Sequence, residues 1–287
     1  MKTCFLSIDV EPLTVLSCGT SDEEAKFESI KKIGGILDIF KKHKAPATLF
    51  STGEVLEHYP DSVKKWSEDF EIGCHNYYHV ELDKVDLLGR EKQIKDFIKI
   101  YADIFNQSPL GFRAPRNIID NEHFEILERY GFLYDSSVLP RYPLGIRHYK
   151  GYRGRGQILP YCPDKSNYLK KVYPVKLGEA GSSTATFNGA KILEIPESPV
   201  ALSVPLVGTW LRKLGVKFFK FLFIFKKPNF ISLSMHSWDG IEFSGVGSKN
   251  SGKIFLHQLD EMMGFLKNLG YEFKSGKQIY EEFSKNR

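Results

Sequence analysis

Apolar and polar positions along the chain follow two alternating periods, which predict strands that are each followed by a helix. Short apolar runs with β-favouring residues predict strands at 4–10, 47–51, 70–74, 111–116, 132–137, 191–196, 230–236 and 271–273. Apolar stripes at helical spacing predict helices at 25–43, 53–66, 89–105, 122–131 and 253–269, with a last helix at the end of the chain. About seven strands that alternate with helices predict parallel pairing and an α/β barrel.

One long segment departs from this rhythm. Residues 139–190 are rich in Pro, Gly, Tyr and Arg and show little periodicity. A long irregular insert inside a compact domain is usually a functional loop or lid, and disorder is the competing interpretation. The many aromatic residues favour an ordered insert.

The most hydrophobic stretch of the chain is a basic and aromatic segment at 206–227. It is short and repeatedly interrupted by Lys and Arg, which argues against a transmembrane span. Two interpretations remain open: an interfacial helix with basic residues toward lipid head groups, or a core helix whose lysines extend to solvent.

Composition limits the class of protein. With 287 residues and 42% apolar content, the chain can bury one large core, so we expect a single domain. The net charge of +5 is modest and spread over helix faces, and without a basic-aromatic recognition motif we expect no nucleic-acid partner. The cysteines show no CxxC spacing, which predicts free thiols; they are Cys4, Cys18, Cys74 and Cys162. The N-terminal residues show no leader pattern, so we expect a cytoplasmic protein.

Candidate chemistry collects at the predicted strand ends, where α/β barrels place their active sites. Asp9 and Glu11 are two apart on one strand and therefore share a face. His75 and His79 are four apart, and on a helical turn both imidazoles would face one metal ion. Either pair alone is also typical of solvated surface positions, but together with His236 at a late strand end they predict a metal site.

The ordered set of these motifs resembles the polysaccharide deacetylase family (NodB homology, carbohydrate esterase 4). The motifs are Asp9-x-Glu11, His75-x-x-x-His79, Arg113-x-Pro115, Tyr134-Asp135-Ser136-Ser137 and a late strand that ends in His236. The resemblance covers nearly the whole chain, residues 1–287, and implies a distorted seven-stranded (β/α) barrel. Within the family, the chain is most similar to a branch that has an Asp-x-Glu first motif and a pattern like Glu194-x-Pro196-x-Ser198. That branch includes enzymes of exopolysaccharide and peptidoglycan pathways.

The resemblance also implies roles for individual residues. Asp9 would be the general base, and Glu11, His75 and His79 would hold one divalent metal ion. That ion is most often zinc in the family, with Co²⁺, Ni²⁺ or Mn²⁺ as alternatives. His236 would protonate the departing amine, and Arg113 would keep the base ionised. The main-chain N–H of Arg116 would help to bind the oxyanion.

The sequence departs from the family pattern at several places. Val10 separates the two acids, so the roles of Asp9 and Glu11 could be exchanged. Arg116 replaces the commoner Tyr and favours an anionic group. Ser234 stands where an apolar residue often lines the acyl pocket, and Leu233 would substitute only in another register. Tyr134 and Asp135 are further residues expected to contact the substrate. Glu194 and Asp135 are both candidates for the carboxylate that raises the pKa of His236.

Three functions follow from these observations. The first is a metal-dependent removal of an N-acetyl group from an amino sugar of a glycan, a sugar-lipid or a sugar-nucleotide. This reaction would occur on the cytoplasmic side, with peripheral membrane contact through 207–227. The second is a related amide hydrolase, such as a deformylase or cyclic-amide hydrolase. The third is a non-catalytic glycan-binding module. The sequence predicts no oligomeric state.

Overall fold

The computed structural model describes residues 2–13, 23–137, 192–197, 199–201, 204–243 and 247–285. The insert expected at 139–190 and the thiols of Cys18 and Cys162 lie outside the described residues. Cys4 and Cys74 are free and buried.

Ten strands form one sheet, and their order shows how the chain winds. They are β1 (Lys2–Val10), β2 (Thr48–Ser51), β3 (Glu71–Cys74), β4 (Gly111–Phe112), β5 (Tyr134–Asp135), β6 (Leu193–Glu194), β7 (Pro199–Ala201), β8 (Val204–Val207), β9 (Phe230–His236) and β10 (Tyr271–Lys274). The spatial order is β6-β5-β4-β3-β2-β1-β9-β8-β7, and β10 pairs with β1. Among the described strands, the β7–β8 pair is the one antiparallel pair. The predicted α/β fold is therefore confirmed. The described sheet has more strands than the seven that the resemblance implies, because short strands are added at its edges.

Helices occupy the connections between parallel strands, as the alternating pattern predicts. They are α1 (Glu23–Lys26), α2 (Glu28–Lys31), α3 (Gly34–Lys42), α4 (Gly53–His58), α5 (Pro60–Trp66), α6 (Leu87–Phe105), α7 (Asn121–Arg129), α8 (Gly208–Phe225), α9 (Lys253–Asn268) and α10 (Gly276–Lys285). The continuous helix predicted at 25–43 is wrong, because the chain breaks there into α1, α2 and α3. The stretch 206–227 likewise begins with the end of β8 before α8 starts.

The sheet has two differently used faces. Successive side chains of a strand point to opposite faces, so Cys4, Leu6 and Ile8 of β1 join the large apolar core beneath the helices. Phe5 points to the other face, where it packs with Phe50 and other inward-facing residues in a second cluster. The next inward positions of β1 are Ser7 and Asp9. The inward-facing side chains of β1 thus form a row on the inner face of the curled sheet, and Asp9 lies at the carboxyl end of that row.

Helix α8 has a buried and an exposed side. Gly215 adopts a φ of 78° and interrupts the helix, which continues to Phe225. Leu211, Val216 and Phe219 are buried against the core. In the described part of the chain, each helix is either too short or too polar to cross a bilayer.

Candidate metal centre

Three predicted ligands converge at the carboxyl edge of the sheet. Glu11 directly follows β1, and His75 directly follows β3. The Oε2 atom of Glu11 lies 2.7 Å from Nε2 of His79 and 3.3 Å from Nε2 of His75. One ligand atom from each residue lies within 4.8 Å of the others. A carboxylate and two imidazoles in this arrangement are a typical zinc-binding set.

The local structure of the histidine pair differs from the prediction. Residues 75–80 form a loop, not a helical turn. Asn76 has a φ of 63°, and the chain turns there immediately after β3. The turn in this loop, rather than a helical turn, therefore brings the imidazoles of His75 and His79 together. Their ring centroids lie 5.3 Å apart.

Neighbouring groups orient the ligands for a cation. Nδ1 of His75 lies 2.8 Å from the main-chain oxygen of Arg113, which can only accept a hydrogen bond. The proton of a neutral His75 ring therefore sits on Nδ1, and the Nε2 lone pair faces Glu11. The indole Nε1 of Trp238 donates to Oε1 of Glu11 at 3.0 Å. Glu11, His75 and His79 thus fit a divalent metal ion.

Electrostatics within this trio favour a charged carboxylate. Burial alone would raise the pKa of Glu11, but His79 and His75 outweigh it and hold the pKa well below its usual value. Burial lowers the pKa of His79, and the charge of Glu11 more than compensates, so the net shift is upward. A metal ion binds the deprotonated imidazole, so the raised pKa of His79 opposes metal binding as the pH falls.

The predicted base lies beside the ligands and is paired with a buried cation. Nη1 of Arg113 donates to Oδ1 of Asp9 at 2.8 Å, and Arg113 is fully buried. Its Nε and Nη2 atoms donate to the main-chain oxygen and the hydroxyl of Ser136, both at 2.9 Å. The guanidinium also lies 4.4 Å from the ring centroid of Phe50. These contacts fix the orientation of the Asp9 carboxylate.

His236 reaches the same edge from the strand on the other side of β1. In the sheet register it lies opposite Asp9. Its ring stacks on Trp238 with centroids 4.3 Å apart. Burial alone would lower its pKa, but Asp239, Glu11 and Asp9 together raise the pKa to about 9. His236 is therefore a protonated group at neutral pH.

The carboxylate that faces His236 is Asp239, which the sequence reasoning missed. Its Oδ2 atom lies 3.6 Å from Nδ1 of His236 and accepts the main-chain N–H of His236 at 2.9 Å. Its other oxygen lies 2.6 Å from Nε of Arg212 on α8, and both residues are buried. An acidic residue three positions after His236 was the available signal, because such a residue can cap the short helical turn Ser237–Gly240.

A second missed carboxylate is Glu197, which lies just beyond β6. Its Oε1 atom accepts the hydroxyl of Ser234 at 2.5 Å and lies 3.8 Å from Arg113. Asn117 donates to its other oxygen at 3.0 Å. Glu197 therefore belongs to the wall of the site between Arg113 and β9.

Four predicted residues are not brought to this centre. Tyr134 is fully buried lower in the barrel, where its hydroxyl donates to Glu71 at 2.8 Å. Asp135 accepts from the main chain and hydroxyl of Ser137, and it neighbours Glu194 across the β5–β6 pair. Leu233 belongs to the outer core beneath the helices. Tyr134, Asp135 and Leu233 are thus fully buried, and the carboxylate within ion-pair distance of His236 is that of Asp239.

Arg116 lies at the rim of the site but is already engaged. Its guanidinium pairs with Glu81, and its main chain adopts a φ of 56°. The expectation that Arg116 favours an anionic group on the substrate is weakened, because Glu81 already neutralises it.

Part of the chain is similar in sequence to known deacetylases. Residues 32–134 match the polysaccharide deacetylase family. A peptidoglycan deacetylase from Helicobacter pylori is 30% identical over 105 residues, which are 36% of this chain and 36% of that protein. The chain spans about a third of the length of the curated relatives it matches.

Solved structures share the fold along nearly the whole chain. A polysaccharide deacetylase, so named, from Mycobacterium smegmatis aligns with a TM-score of 0.61 at 15% identity, covering 99% of this chain and 91% of that one. A carbohydrate esterase 4 pseudoenzyme from Bacillus anthracis aligns with a TM-score of 0.55 at 13% identity, covering 97% of this chain and 65% of that one. The (β/α) barrel architecture is therefore shared, and the chemistry must be argued from the residues.

Proposed function

Because residues 32–134 match the polysaccharide deacetylase family, we propose that this chain is a metal-dependent hydrolase that removes an N-acetyl group from an amino sugar. The observation that carries the proposal is the convergence of Glu11, His75 and His79 within 4.8 Å. Asp9, paired with Arg113, and the raised-pKa His236 flank this set. A ligand set, a base and an acid therefore share one edge of the sheet.

Each group has a part in cleaving an amide. When bound, a divalent ion would polarise the acetyl carbonyl and lower the pKa of a water molecule. Asp9 would accept the proton of the attacking water as its oxygen forms a bond with the carbonyl carbon. Arg113 would hold Asp9 ionised and directed toward that water.

Breakdown of the resulting tetrahedral species needs a proton on the leaving nitrogen. His236 would donate this proton as the C–N bond breaks, which releases acetate and a free amine. Asp239 would keep the imidazole protonated before the step and hold its ring in place. Without this donor, the departing group would be an amide anion, which is a very poor leaving group.

Relatives support the choice of substrate. The H. pylori relative is named a peptidoglycan deacetylase, so we propose an N-acetylated sugar of a glycan as the first substrate to test, ahead of sugar-lipids and sugar-nucleotides. A pseudoenzyme among the structural neighbours makes activity a point to be measured. The presence here of a base, an acid and three ligands supports catalysis over glycan binding alone.

Acetate release tests the proposal. Purified protein reconstituted with Zn²⁺ or Co²⁺ is incubated with peptidoglycan fragments, chitin oligomers, lipid-linked N-acetylglucosamine and UDP-N-acetylglucosamine. We expect acetate from at least one glycan, its loss with a chelator, and its loss in Asp9→Asn with metal content retained. Activity of Asp9→Asn equal to that of the wild type, or acetate release that a chelator leaves unchanged, would contradict it.

A further inference from the structure

The end of α8 carries an exposed apolar patch made of Phe221, Ile224 and Phe225. The exposed fractions of these side chains are 53%, 72% and 69%. Their spacing of three and four puts them on one face of the helix, and the rings of Phe221 and Phe225 are in edge contact at 4.8 Å. The opposite side of the helix, with Phe219, Leu222 and Phe223, is buried. The patch is therefore additional to the apolar surface that the fold itself uses.

Exposed lysines precede and follow this patch along the chain. The exposed lysines are Lys213, Lys217, Lys226 and Lys227, and residues 204–227 contain no Asp or Glu. Within the described part of the chain, none of these four lysines has a carboxylate within ion-pair distance, whereas Lys220 pairs with Glu261 at 2.7 Å. Aromatic and aliphatic side chains beside unpaired lysines match the interfacial region of a bilayer with anionic head groups.

We propose that the Phe221, Ile224 and Phe225 patch docks on the surface of an anionic lipid bilayer, with the lysines contacting the lipid head groups. The positive charge of the neighbouring lysines favours an anionic bilayer over a protein partner. A protein partner would need an acidic rim around an apolar groove, whereas a bilayer of anionic lipids supplies both features without a specific shape.

The fold fixes where the metal centre lies when the patch is docked. Val207, just before α8, pairs with Ser234 near the carboxyl end of β9. The far end of α8 leads back to Phe230, the first residue of β9. The patch therefore lies toward the amino edge of the sheet, and His236 lies at the other edge, roughly 20 Å away along β9. Docking through the patch would therefore leave the metal centre at the opposite edge of the sheet, roughly 20 Å along β9 from the docked end.

This orientation bears on the substrate, and this step rests on the proposed function. A centre at the edge of the sheet opposite the docked end, about 20 Å along β9, suits a sugar within a glycan that extends from the membrane. It does not suit a sugar attached directly at the head group. The position of the basic and aromatic segment thus favours a polymeric substrate over a lipid-linked sugar.

Vesicle sedimentation tests the docking surface independently of catalysis. The full chain is mixed with vesicles of phosphatidylcholine alone, or with 30 mol% phosphatidylglycerol, at about 0.1 M and 0.5 M salt, because exposed charges are screened more strongly at the higher value. We expect binding only to the anionic vesicles and less binding at high salt. A triple variant (F221S, I224S and F225S) and a double variant (K226E and K227E) should each lose at least about tenfold in affinity.

Ile254→Ser is the matched control, because Ile254 is 54% exposed on α9. It should bind like the wild type, and thermal melting should confirm that every variant is folded. Equal binding to neutral vesicles, an Ile254→Ser loss as large as that of the triple variant, or no vesicle binding at all would overturn the proposal. Self-association that the triple variant abolishes, without vesicle binding, would assign the patch to a second copy instead.

Fluorescence quenching tests the orientation. With Cys18 and Cys162 replaced by Ser, a dye is placed at Ile224→Cys or at Tyr78→Cys, since Tyr78 is half exposed beside His79. Spin-labelled head groups should quench the first dye and spare the second. Quenching at position 78 that equals or exceeds quenching at position 224 would overturn the orientation. Acetate release measured on the same protein would show separately whether the proposed function holds.

Discussion

The Nδ1 atom of His75 lies 2.8 Å from the main-chain oxygen of Arg113, whose guanidinium donates to Asp9 at the same distance. One residue therefore orients a metal ligand through its main chain and the predicted base through its side chain. The two effects can be separated by mutation, because a substitution changes only the side chain.

We expect Arg113→Lys to retain the metal ion and to lose turnover. The main-chain carbonyl still accepts from His75, whereas a lysine ammonium cannot reproduce the paired contacts of the guanidinium with Asp9 and Ser136. The rate of acetate release should fall by about 10² or more. Metal content measured by mass spectrometry should stay near that of the wild type.

Two outcomes would count against this separation. Loss of the metal ion from a folded Arg113→Lys protein would show that the guanidinium is needed for the ligand set. Unchanged kcat would show that Asp9 does not depend on Arg113. Thermal melting must accompany both measurements, because Arg113 is a fully buried charge.

Asp239→Asn should shift the alkaline limb of the pH–rate profile to lower pH. His236 has a pKa raised to about 9 in part by Asp239. The protonated form is the active acid, so the rate should fall as pH rises through this pKa. An amide removes the negative charge, lowers the pKa of His236, and so moves the loss of activity toward neutral pH.

Asp239→Glu is the control, because it retains the charge that faces His236 and Arg212. It should keep its alkaline limb closer to that of the wild type than Asp239→Asn does. A uniform loss of rate in Asp239→Asn at every pH, with no movement of the limb, would mean that Asp239 acts only by holding Arg212 and the local fold.

His123 is predicted to make the protein less stable in acid. Burial, followed by the charge of Arg90, lowers its pKa to about 3, and neither ring nitrogen has a hydrogen-bond partner in the described structure. Between this value and the unfolded pKa of about 6.5, only the unfolded state binds the proton, so stability falls as pH falls. The loss between pH 7 and pH 5 is about 2 kcal/mol.

His123→Leu should remove this part of the acid sensitivity. Denaturant unfolding at pH 7 and pH 5 should show a smaller drop in the free energy of unfolding for the variant than for the wild type. The same drop in both proteins would show that His123 takes up its proton in the folded state. The rest of the acid sensitivity comes from other groups and should persist.

The period of the strands accounts for much of what the sequence could and could not predict. Asp9 and His236 are predictable from the sequence because both lie at the ends of recognisable strands. The family resemblance points to Leu233 and Glu194, whereas the alternation of side chains along a strand places Ser234 and Glu197 on the interior face. Counting inward positions from Phe230 and Leu193, which both face the interior cluster, would have identified Ser234 and Glu197.

Loops and helix breaks set the limit of the prediction. His79 reaches Glu11 because Asn76 turns the chain, and no periodic pattern specifies that turn. Arg212 and Asp239 meet only because α8 packs against the turn after β9, which depends on tertiary contacts. Tyr134 carries a family motif but serves the barrel floor, where its hydroxyl donates to Glu71. Motif membership therefore does not establish contact with the substrate.

The measurement that tests the central claim most directly is the zinc content of wild type, His79→Ala and Asp9→Asn after reconstitution and dialysis. We predict one ion per chain in the wild type and in Asp9→Asn, and close to none in His79→Ala, with all three proteins folded by circular dichroism. Zinc content that is unaffected in His79→Ala, or absent from the wild type, would contradict a site held by Glu11, His75 and His79.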